Sequence, residues 1–300
     1  MLGETQAHVI IGSDSLVIVR VPDGATAAKL TIGNGSGKSA SWPCQIGTRI
    51  ADSLHPVANP VVDAQGNVYS TLSGARGQKT PVAVYKIDPR GEVKPFIPDV
   101  MNASGLAFDR EGSLFVSSRF NGIVYKAAAD GSLSVHVEGM GVATGMAFDA
   151  EGGLYVGDRS GTIFKIGPER QIYVFSTLEP SISAYHLAFG PGGYLYVTGP
   201  TTSSFDSVYR ISPAGTSEVF YRGLGRPQGM AFDAEGRLYV CASLGGRKGI
   251  VRFDADSTPE LFLSGPNIIG LAFTPSRSIV VATTSLLYRV DVDIKGRPLP

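Results

Sequence analysis

The chain has 300 residues with 26 basic and 26 acidic side chains, so its formal net charge is zero. A neutral chain creates no overall field toward polyanions, so we expect neither nucleic acid nor a membrane surface as a partner. Hydrophobic residues make up 43% of the chain, which is enough for one large core or for two smaller ones.

The first residues and the cysteines indicate the compartment. No stretch approaches the ~18 consecutive apolar residues of a membrane-spanning helix. Residues 1–5 lack the basic and apolar regions of an export signal. Cys44 and Cys241 are far apart and have no metal-ligand spacing, so we expect two free thiols. The chain as it stands is therefore predicted to be cytoplasmic, and an upstream signal would make it extracytoplasmic.

Residues 1–47 contain short apolar runs separated by Gly, Pro and Asp, which is typical of β-strands joined by turns. One run covers residues 15–21 and another covers residues 29–32. The sequence Asn-Gly-Ser-Gly-Lys-Ser at residues 34–39 ends like a phosphate-binding loop, but it lacks the first glycine at the required spacing. We therefore predict a partial β-sandwich without a nucleotide site.

A sequence repeat dominates residues 55–300. Its clearest copy begins at Pro227 and reads Pro-Gln-Gly-Met-Ala-Phe-Asp-Ala-Glu-Gly-Arg-Leu-Tyr-Val. Six copies align at the residue after the apolar run, with spacings of 46, 40, 41, 43 and 41 residues. This period suits one four-stranded blade of a β-propeller and excludes helical solenoids. The aligned residues are Asp63, Asp109, Asp149, Gly190, Asp233 and Thr274.

Each copy predicts four antiparallel strands. An inner apolar strand leads through an Asp-x-x-Gly turn into a Leu-Tyr-Val strand, and a third alternating strand and a more polar outer strand follow. In the turn, Asp can accept hydrogen bonds from the backbone and Gly can adopt a positive φ. Because the turn recurs from blade to blade, we predict that Asp109, Asp149 and Asp233 are structural and not catalytic.

The last copy has no outer strand, because little sequence remains after its third strand at residues 286–290. The open edge of that sheet must be covered. Residues 48–52 directly precede the first copy. We predict that they pair with the last blade and close the ring.

The repeat pattern Pro-x-Gly-apolar-Ala-apolar-Asp-x-x-Gly-x-Leu-Tyr-Val resembles the NHL repeat and, in a softer form, the repeats of SMP-30/gluconolactonase-like propellers. The resemblance covers residues 55–300 and implies an all-β fold with a six-bladed β-propeller at residues 48–300. Residues 15–39 resemble the second half of an IPT/TIG immunoglobulin-like domain, so residues 1–47 are interpreted as a partial sandwich of that type. Because its first half is absent, we expect a further piece upstream.

The resemblance to SMP-30-like lactonases implies a divalent cation held by a glutamate, an asparagine and an aspartate in the central channel. At the corresponding residues 55–60 this sequence has no glutamate, and glycine occupies most channel-level positions of the other copies. We therefore expect no cofactor. The alternative is a cation such as Ca²⁺ bound by the oxygen-bearing side chains that remain, namely Asn59, Asn102, Asp158 and Asn267.

Antiparallel hairpins place the starts of the inner strands and the ends of the Leu-Tyr-Val strands on one face of the propeller. This face differs in every blade, and a unique ligand requires a unique surface. Two of its loops, at residues 73–79 and 201–206, are lengthened, and long loops on rigid scaffolds often bind ligands. The predicted ligand-binding residues are Arg119, Asp158, Arg159, Tyr185, His186 and Gln228.

Several of these residues also have a structural interpretation. Asp158 and Arg159 can form an ion pair within a turn. Arg119 can stack on Phe120, and His186 can be a hydrogen-bonded packing residue. As ligand-binding groups, the arginines would favour an anionic or carbonyl-bearing ligand, and the histidine would add a titratable group.

The sequence favours a non-catalytic recognition module, a monomer in which one face of the propeller binds a small polar ligand or a protein partner. No Gly-x-Ser-x-Gly nucleophile elbow is present. Propellers host unrelated activities, so the fold alone does not decide the function. The alternative is a metal-dependent hydrolase or lactonase of the SMP-30/gluconolactonase type.

Overall fold

The structure is a computed structural model and describes residues 1–25, 28–34, 36–254 and 256–298. These residues form β-strands, turns and one 3-10 turn at Pro191–Gly193, and none of them is in an α-helix. Among them, no helix has the length and apolar character needed to cross a bilayer. The all-β prediction is confirmed.

Residues 1–47, where the structure describes them, form three small two-stranded sheets and are a minor addition to the fold. The residues of the β1–β2 hairpin are almost all exposed, although most of them are Val or Ile. Gly35, in the turn that resembles a phosphate-binding loop, lies outside the described residues. The strands are β1 (His8–Gly12), β2 (Val17–Arg20), β3 (Ala28–Leu30), β4 (Gly33–Asn34), β5 (Gly37–Lys38) and β6 (Trp42–Cys44). β1 pairs with β2, β3 with β6, and β4 with β5.

Each sequence repeat forms one four-stranded antiparallel blade, and the sixth blade takes its outer strand, β7 (Thr48–Ala51), from residues before the first repeat. The six-bladed prediction is confirmed. Blade 1 contains β8 (Val61–Val62), β9 (Val68–Thr71), β10 (Val84–Ile87) and β11 (Val93–Ile97). Blade 2 contains β12 (Ala103–Phe108), β13 (Leu114–Ser118), β14 (Ile123–Ala127) and β15 (Leu133–Val137). Blade 3 contains β16 (Ala143–Phe148), β17 (Leu154–Asp158), β18 (Thr162–Ile166) and β19 (Ile172–Thr177).

The remaining blades have the same order of strands from the axis outward. Blade 4 contains β20 (His186–Phe189), β21 (Leu195–Thr198), β22 (Asp206–Ile211) and β23 (Ser217–Leu224). Blade 5 contains β24 (Met230–Phe232), β25 (Leu238–Leu244), β26 (Arg247–Phe253) and β27 (Pro259–Ser264). Blade 6 contains β28 (Ile268–Phe273), β29 (Ser278–Thr283) and β30 (Leu287–Asp291), followed by β7 at the outer edge.

The Asp-x-x-Gly turns form as predicted. Oδ1 of Asp149 accepts hydrogen bonds from the backbone N–H groups of Glu151 at 3.1 Å and Gly153 at 2.6 Å. Gly152 has a φ of 86°, which glycine adopts at little cost because it has no Cβ. The turn residue thus satisfies backbone donors that the tight chain reversal leaves without strand partners.

Neighbouring blades are joined by aromatic pairs. The aromatic residue of each Leu-Tyr-Val strand packs edge to face on the phenylalanine of the next inner strand, an arrangement that is more favourable than area burial alone. The ring centroids are 4.9 to 5.5 Å apart. The pairs are Tyr69–Phe108, Phe115–Phe148, Tyr155–Phe189, Tyr196–Phe232 and Tyr239–Phe273.

The junction between blades 6 and 1 is built differently, because Val280 and Val62 take the place of the aromatic pair. β7 closes the ring there by pairing with β30, with Ala51 opposite Leu287. Ala51 and Leu287 are both buried in the core of this junction. The prediction that residues 48–52 close the ring is confirmed.

The inner strands approach one another closely at the axis. The backbone N–H of Gly145 in blade 3 donates to the carbonyl oxygen of Tyr185 in blade 4 at 3.0 Å, and Gly229 donates to Ile269 in the same way at 2.9 Å. A Cβ atom on Gly145 would lie 2.2 Å from the carbonyl oxygen of Tyr185. Glycine is therefore required where the blades meet this closely.

Candidate functional site

The pairing register divides the propeller into two faces. Ala103 at the start of β12 lies opposite Ser118 at the end of β13, and Ala143 at the start of β16 lies opposite Asp158 at the end of β17. We call the face at these ends the loop face. The opposite face, which carries the Asp-x-x-Gly turns, is the turn face.

The buried side chain of Asn102 contacts residues 73–79, which we call the blade-1 loop. Oδ1 of Asn102 accepts a hydrogen bond from the backbone N–H of Gly77 at 2.8 Å. Nδ2 of Asn102 donates to the carbonyl oxygens of Gly74 at 3.0 Å and Ala75 at 2.9 Å. Asn102 itself has a φ of 49°, a left-handed conformation that Asn tolerates better than most residues. The shape of the loop is thus fixed by blade 2.

Arg119 makes a second connection to the blade-1 loop. Its Nη2 donates to the carbonyl oxygen of Gly74 at 2.9 Å and to Oγ of Ser73 at 3.3 Å, whereas its Nε is buried without a protein partner. Burial and then the positive charges of Arg159 and Arg76 lower the pKa of Arg119. In the part of the chain that the structure describes, none of these three arginines pairs with a carboxylate.

Asp158 and Arg159 do not form the ion pair that the structural interpretation allowed. Oδ1 of Asp158 accepts a hydrogen bond from the backbone N–H of Ser160 at 2.7 Å, and Oδ2 accepts one from Val142. Nη2 of Arg159 donates to the carbonyl oxygen of Ile182 at 2.9 Å. Both oxygens of the carboxylate are therefore occupied, whereas the guanidinium group of Arg159 remains partly exposed on the loop face.

Tyr185 and His186 lie inside the ring, with exposed fractions of 1% and 2%. The hydroxyl of Tyr185 donates to the carbonyl oxygen of Glu179, and burial raises the pKa of this phenol. Nε2 of His186 has no protein partner, and burial lowers the pKa of the imidazole to about 4. A side chain at the register of His186 points toward the next blade, as the contact at Gly145 shows, whereas the ring of Tyr185 lies against Gly157 and Gly199. This is why the two residues are not exposed on the face where the sequence analysis placed them.

Gln228 lies two residues before β24, the inner strand of blade 5, and is half-buried. Its backbone N–H donates to the carbonyl oxygen of Cys241 at 2.9 Å, and its own carbonyl oxygen accepts a hydrogen bond from Thr198 at 2.5 Å. Its side-chain amide has no partner among the described residues. Of the six predicted residues, Arg119, Arg159 and Gln228 thus keep side-chain groups that a ligand could use.

Three of the four side chains considered as cation ligands are engaged in structural hydrogen bonds, and the fourth, Asn267, is exposed. Nδ2 of Asn59 donates to the carbonyl oxygen of Met230 at 2.7 Å, and its Oδ1 accepts from the backbone N–H of Leu271 at 3.1 Å. Asn102 and Asp158 are occupied as described above. Within the described residues, no group of three or more His, Cys, Asp or Glu side chains is placed to hold a metal ion. The side-chain oxygens of Asn59, Asn102 and Asp158 thus already serve as hydrogen-bond acceptors within the fold, and the binding of a divalent cation stays an untested alternative.

Sequence reasoning missed two features of this face. The sequence analysis considered Arg76 only as part of a lengthened loop, and it considered Asn102 only as a possible cation ligand. The contacts of Asn102 join residues that are 25 to 28 positions apart in the chain. No local pattern in the sequence reports such contacts.

Comparison with known proteins gives similarity at the level of structure. No protein-family model matches the chain, and no curated protein matches it. A gluconolactonase from Xanthomonas campestris has a TM-score of 0.64 and 16% identity, covering 84% of this chain and 89% of that chain. Regucalcin, a calcium-binding protein from Agrobacterium tumefaciens, has a TM-score of 0.64 and 18% identity, covering 85% and 96%. Virginiamycin B lyase from Staphylococcus aureus, in complex with quinupristin, has a TM-score of 0.60 and 15% identity, covering 91% and 93%.

These identities show a shared fold. The chain is a six-bladed β-propeller with gluconolactonase-like and SMP-30-like structural neighbours. The assignment of its repeats to the NHL type is not confirmed. An N-terminal IPT/TIG domain is not supported, since residues 1–47 form separate two-stranded sheets where they are described. The division into domains at residues 1–47 and 48–300 stays a prediction.

Proposed function

We propose that the loop face binds a small polar ligand that is anionic or bears a carbonyl group, with Arg119, Arg159 and Gln228 as contact residues. The observation that carries this proposal is the group of three arginines without carboxylate partners. Arg119 is half-buried, and the charges of Arg76 and Arg159 act on it. A ligand at this position would meet cationic groups that the fold itself does not neutralise.

The physical reason is the cost of an unpaired charge away from water. Burying a charged group is unfavourable unless it is paired and hydrogen-bonded. Burial is the main cause of the lowered pKa of Arg119, and repulsion from the like charges of Arg159 and Arg76 adds to it. A planar guanidinium group binds carboxylates, phosphates and carbonyl oxygens through parallel N–H donors. An anion bound on the loop face would therefore pair the half-buried charge of Arg119 and also reduce the repulsion between the arginines.

A ligand screen tests this proposal. A library of small carboxylates, phosphates, lactones and neutral sugars would be examined by thermal shift, with affinities then measured by calorimetry. We expect anionic or carbonyl-bearing compounds to bind, and Arg159→Gln to weaken their binding by about tenfold, a loss of ~1.4 kcal/mol. The matched control is Arg110→Gln, which removes an exposed turn-face arginine paired with Glu111. Equal losses in the two variants, or binding of neutral sugars alone, would contradict the proposal.

A second candidate function is lactone hydrolysis, and the structural comparisons favour it over pure recognition. The similar structures include gluconolactonases, regucalcin and a luciferin-regenerating enzyme, at 15% to 18% identity. A lactone carries a carbonyl oxygen, and addition of water with cleavage of the ring C–O bond yields a hydroxy acid. The arginines of the loop face suit both the substrate and the anionic product.

A pH-stat assay separates the two candidates. Hydrolysis of gluconolactone would be followed above its uncatalysed rate, without metal and with Ca²⁺, Mg²⁺, Mn²⁺ or Zn²⁺ added. Turnover that is lost in Arg159→Gln and kept in Arg110→Gln supports the hydrolase. Binding without turnover under every metal condition supports the recognition module.

A further inference from the structure

An exposed aromatic ring adjoins the arginines of the loop face. Phe120 follows Arg119 directly in the sequence and is 47% exposed. A Cβ atom on Gly77 would lie 3.5 Å from Cε2 of Phe120, so the ring lies against the segment of the blade-1 loop that carries Arg76. A cationic and an apolar group are thus presented side by side.

The backbone of this segment is held before any ligand arrives. Asn102 makes three hydrogen bonds to Gly74, Ala75 and Gly77, and Arg119 adds a fourth to Gly74. The side chain of Arg76 is nevertheless exposed, and its guanidinium group has no hydrogen-bond partner among the described residues. Binding at a preformed loop does not have to meet the cost of ordering that loop.

We propose that the blade-1 loop and Phe120 form the binding site for an amphipathic anion, meaning a carboxylate or phosphate attached to an aromatic or acyl group. This inference rests on the proposed function and specifies the class of ligand. Arg76 and the partly unpaired guanidinium group of Arg119 bind the acid group, and Phe120 packs against the apolar group. Asn102 acts as a positioning residue, because it fixes the loop without touching the ligand.

Both the acid group and the apolar group of such a ligand are needed to contact the arginines and the ring of Phe120 together. An inorganic anion would contact the arginines and leave the ring of Phe120 in water. A neutral aromatic compound would cover the ring and leave the arginines unpaired and mutually repelling. Because burial of apolar area adds to the charge-assisted hydrogen bonds, the combined ligand should bind more tightly than either part.

The ligand class is tested with a set of five probes measured by calorimetry and by NMR titration. They are phenylacetate, phenyl phosphate, acetate, inorganic phosphate and 2-phenylethanol. We expect the two aromatic anions to bind at least tenfold more tightly than acetate and inorganic phosphate, and also than the alcohol. The carboxylate and phosphate members of the set distinguish which acid group the arginines prefer.

Two variants locate the site. Arg76→Gln should weaken binding of phenylacetate and phenyl phosphate by about tenfold, and Phe120→Ala should reduce their advantage over acetate and inorganic phosphate to less than threefold. Tyr173→Ala, which removes another exposed aromatic ring on β19, should leave all affinities unchanged. Asn102→Gly tolerates the positive φ of this residue and removes the hydrogen bonds to the loop without adding a charge, so it should weaken binding while an intact Arg76 remains present.

Three results would overturn the inference. They are equal affinity for inorganic phosphate and phenyl phosphate, equal affinity for 2-phenylethanol and phenylacetate, and absence of binding by all five probes. None of these results by itself contradicts the proposed function. The proposed function would still hold if another compound bound the loop face and its affinity were lowered by Arg159→Gln but not by Phe120→Ala.

Discussion

The turn face and the loop face use the same charged residue types in opposite ways. On the turn face, the turn carboxylates of blades 2, 3 and 5 each meet a cation from the same blade, as in Lys126–Asp109 at 3.2 Å and Arg237–Asp233 at 2.6 Å. On the loop face, Arg119 is half-buried and no carboxylate balances it within the described residues.

The difference distinguishes charged residues that stabilise the fold from charged residues that are available to a ligand. A turn is required in every blade, so its residues recur and their charges are satisfied internally. A binding surface is required once, so its residues differ between blades and their charges remain available. Variants that test this difference either remove the scaffold that separates the two faces or exchange residues on one face at a time.

Opening the ring should have the largest effect, because both faces exist only in a closed propeller. A chain starting at residue 48 loses the small exposed sheets but keeps β7, whereas one starting at residue 53 also loses β7. The second truncation exposes the edge of β30 and the side chain of Leu287, which is fully buried in the intact chain. We expect it to cost about 3 kcal/mol or more in the free energy of unfolding, measured by urea denaturation. Equal stability of the two truncated chains would disprove the closure by β7.

Acid should destabilise the ring through His186, the buried histidine at the axis. Its pKa is about 4 in the folded chain and about 6.5 in an unfolded one, so the folded state favours the neutral form. The stability is therefore complete above pH 6.5 and is lost as the pH falls toward 4, by about 3 kcal/mol in total. Urea denaturation at several pH values measures this slope. His186→Asn should flatten it, and an unchanged slope in that variant would assign the pH dependence to other groups.

A turn-face carboxylate should matter for stability and not for binding. Asp233 is fully buried and accepts hydrogen bonds from backbone N–H groups, from Arg237 and from the hydroxyl of Tyr239. Asp233→Ala should cost about 2 kcal/mol, because it leaves buried donors without acceptors. Asp109→Ala should cost about 1 kcal/mol, since Asp109 accepts fewer such bonds. Thermal and urea unfolding give both values. Loss of ligand binding without loss of stability would assign Asp233 to the site.

The sequence was sufficient to predict the blades, because each turn is a local pattern in which Asp and Gly have defined backbone roles. It also predicted the closing strand, since an unpaired edge requires a partner. It did not predict the burial of Tyr185 and His186, because the exposure of a side chain near the axis depends on how closely the neighbouring blades approach, and their role in ligand binding stays a prediction. The role of Asn102 could not be predicted, since it depends on contacts with a distant loop.

The smallest expected effect on stability is that of Arg159→Gln on the loop face. The substitution removes an exposed hydrogen bond to Ile182, which contributes about 0.5 to 1 kcal/mol. It also removes a positive charge that lowers the pKa of Arg119, and relief of that repulsion is favourable. The two contributions oppose each other, so we expect a net change within about 0.5 kcal/mol.

The matched substitution on the turn face is Arg237→Gln. It leaves the buried carboxylate of Asp233 without its cation, and removing one partner of a buried pair is costly. We expect a loss of about 2 kcal/mol there, with ligand affinity unchanged. Urea denaturation at low and high salt adds a further distinction, because salt screens the exposed repulsion around Arg159 more than the buried pair. If the two variants lost equal stability, the charges of the loop face would be balanced within the fold like those of the turn face, and the loop-face arginines would be structural as well.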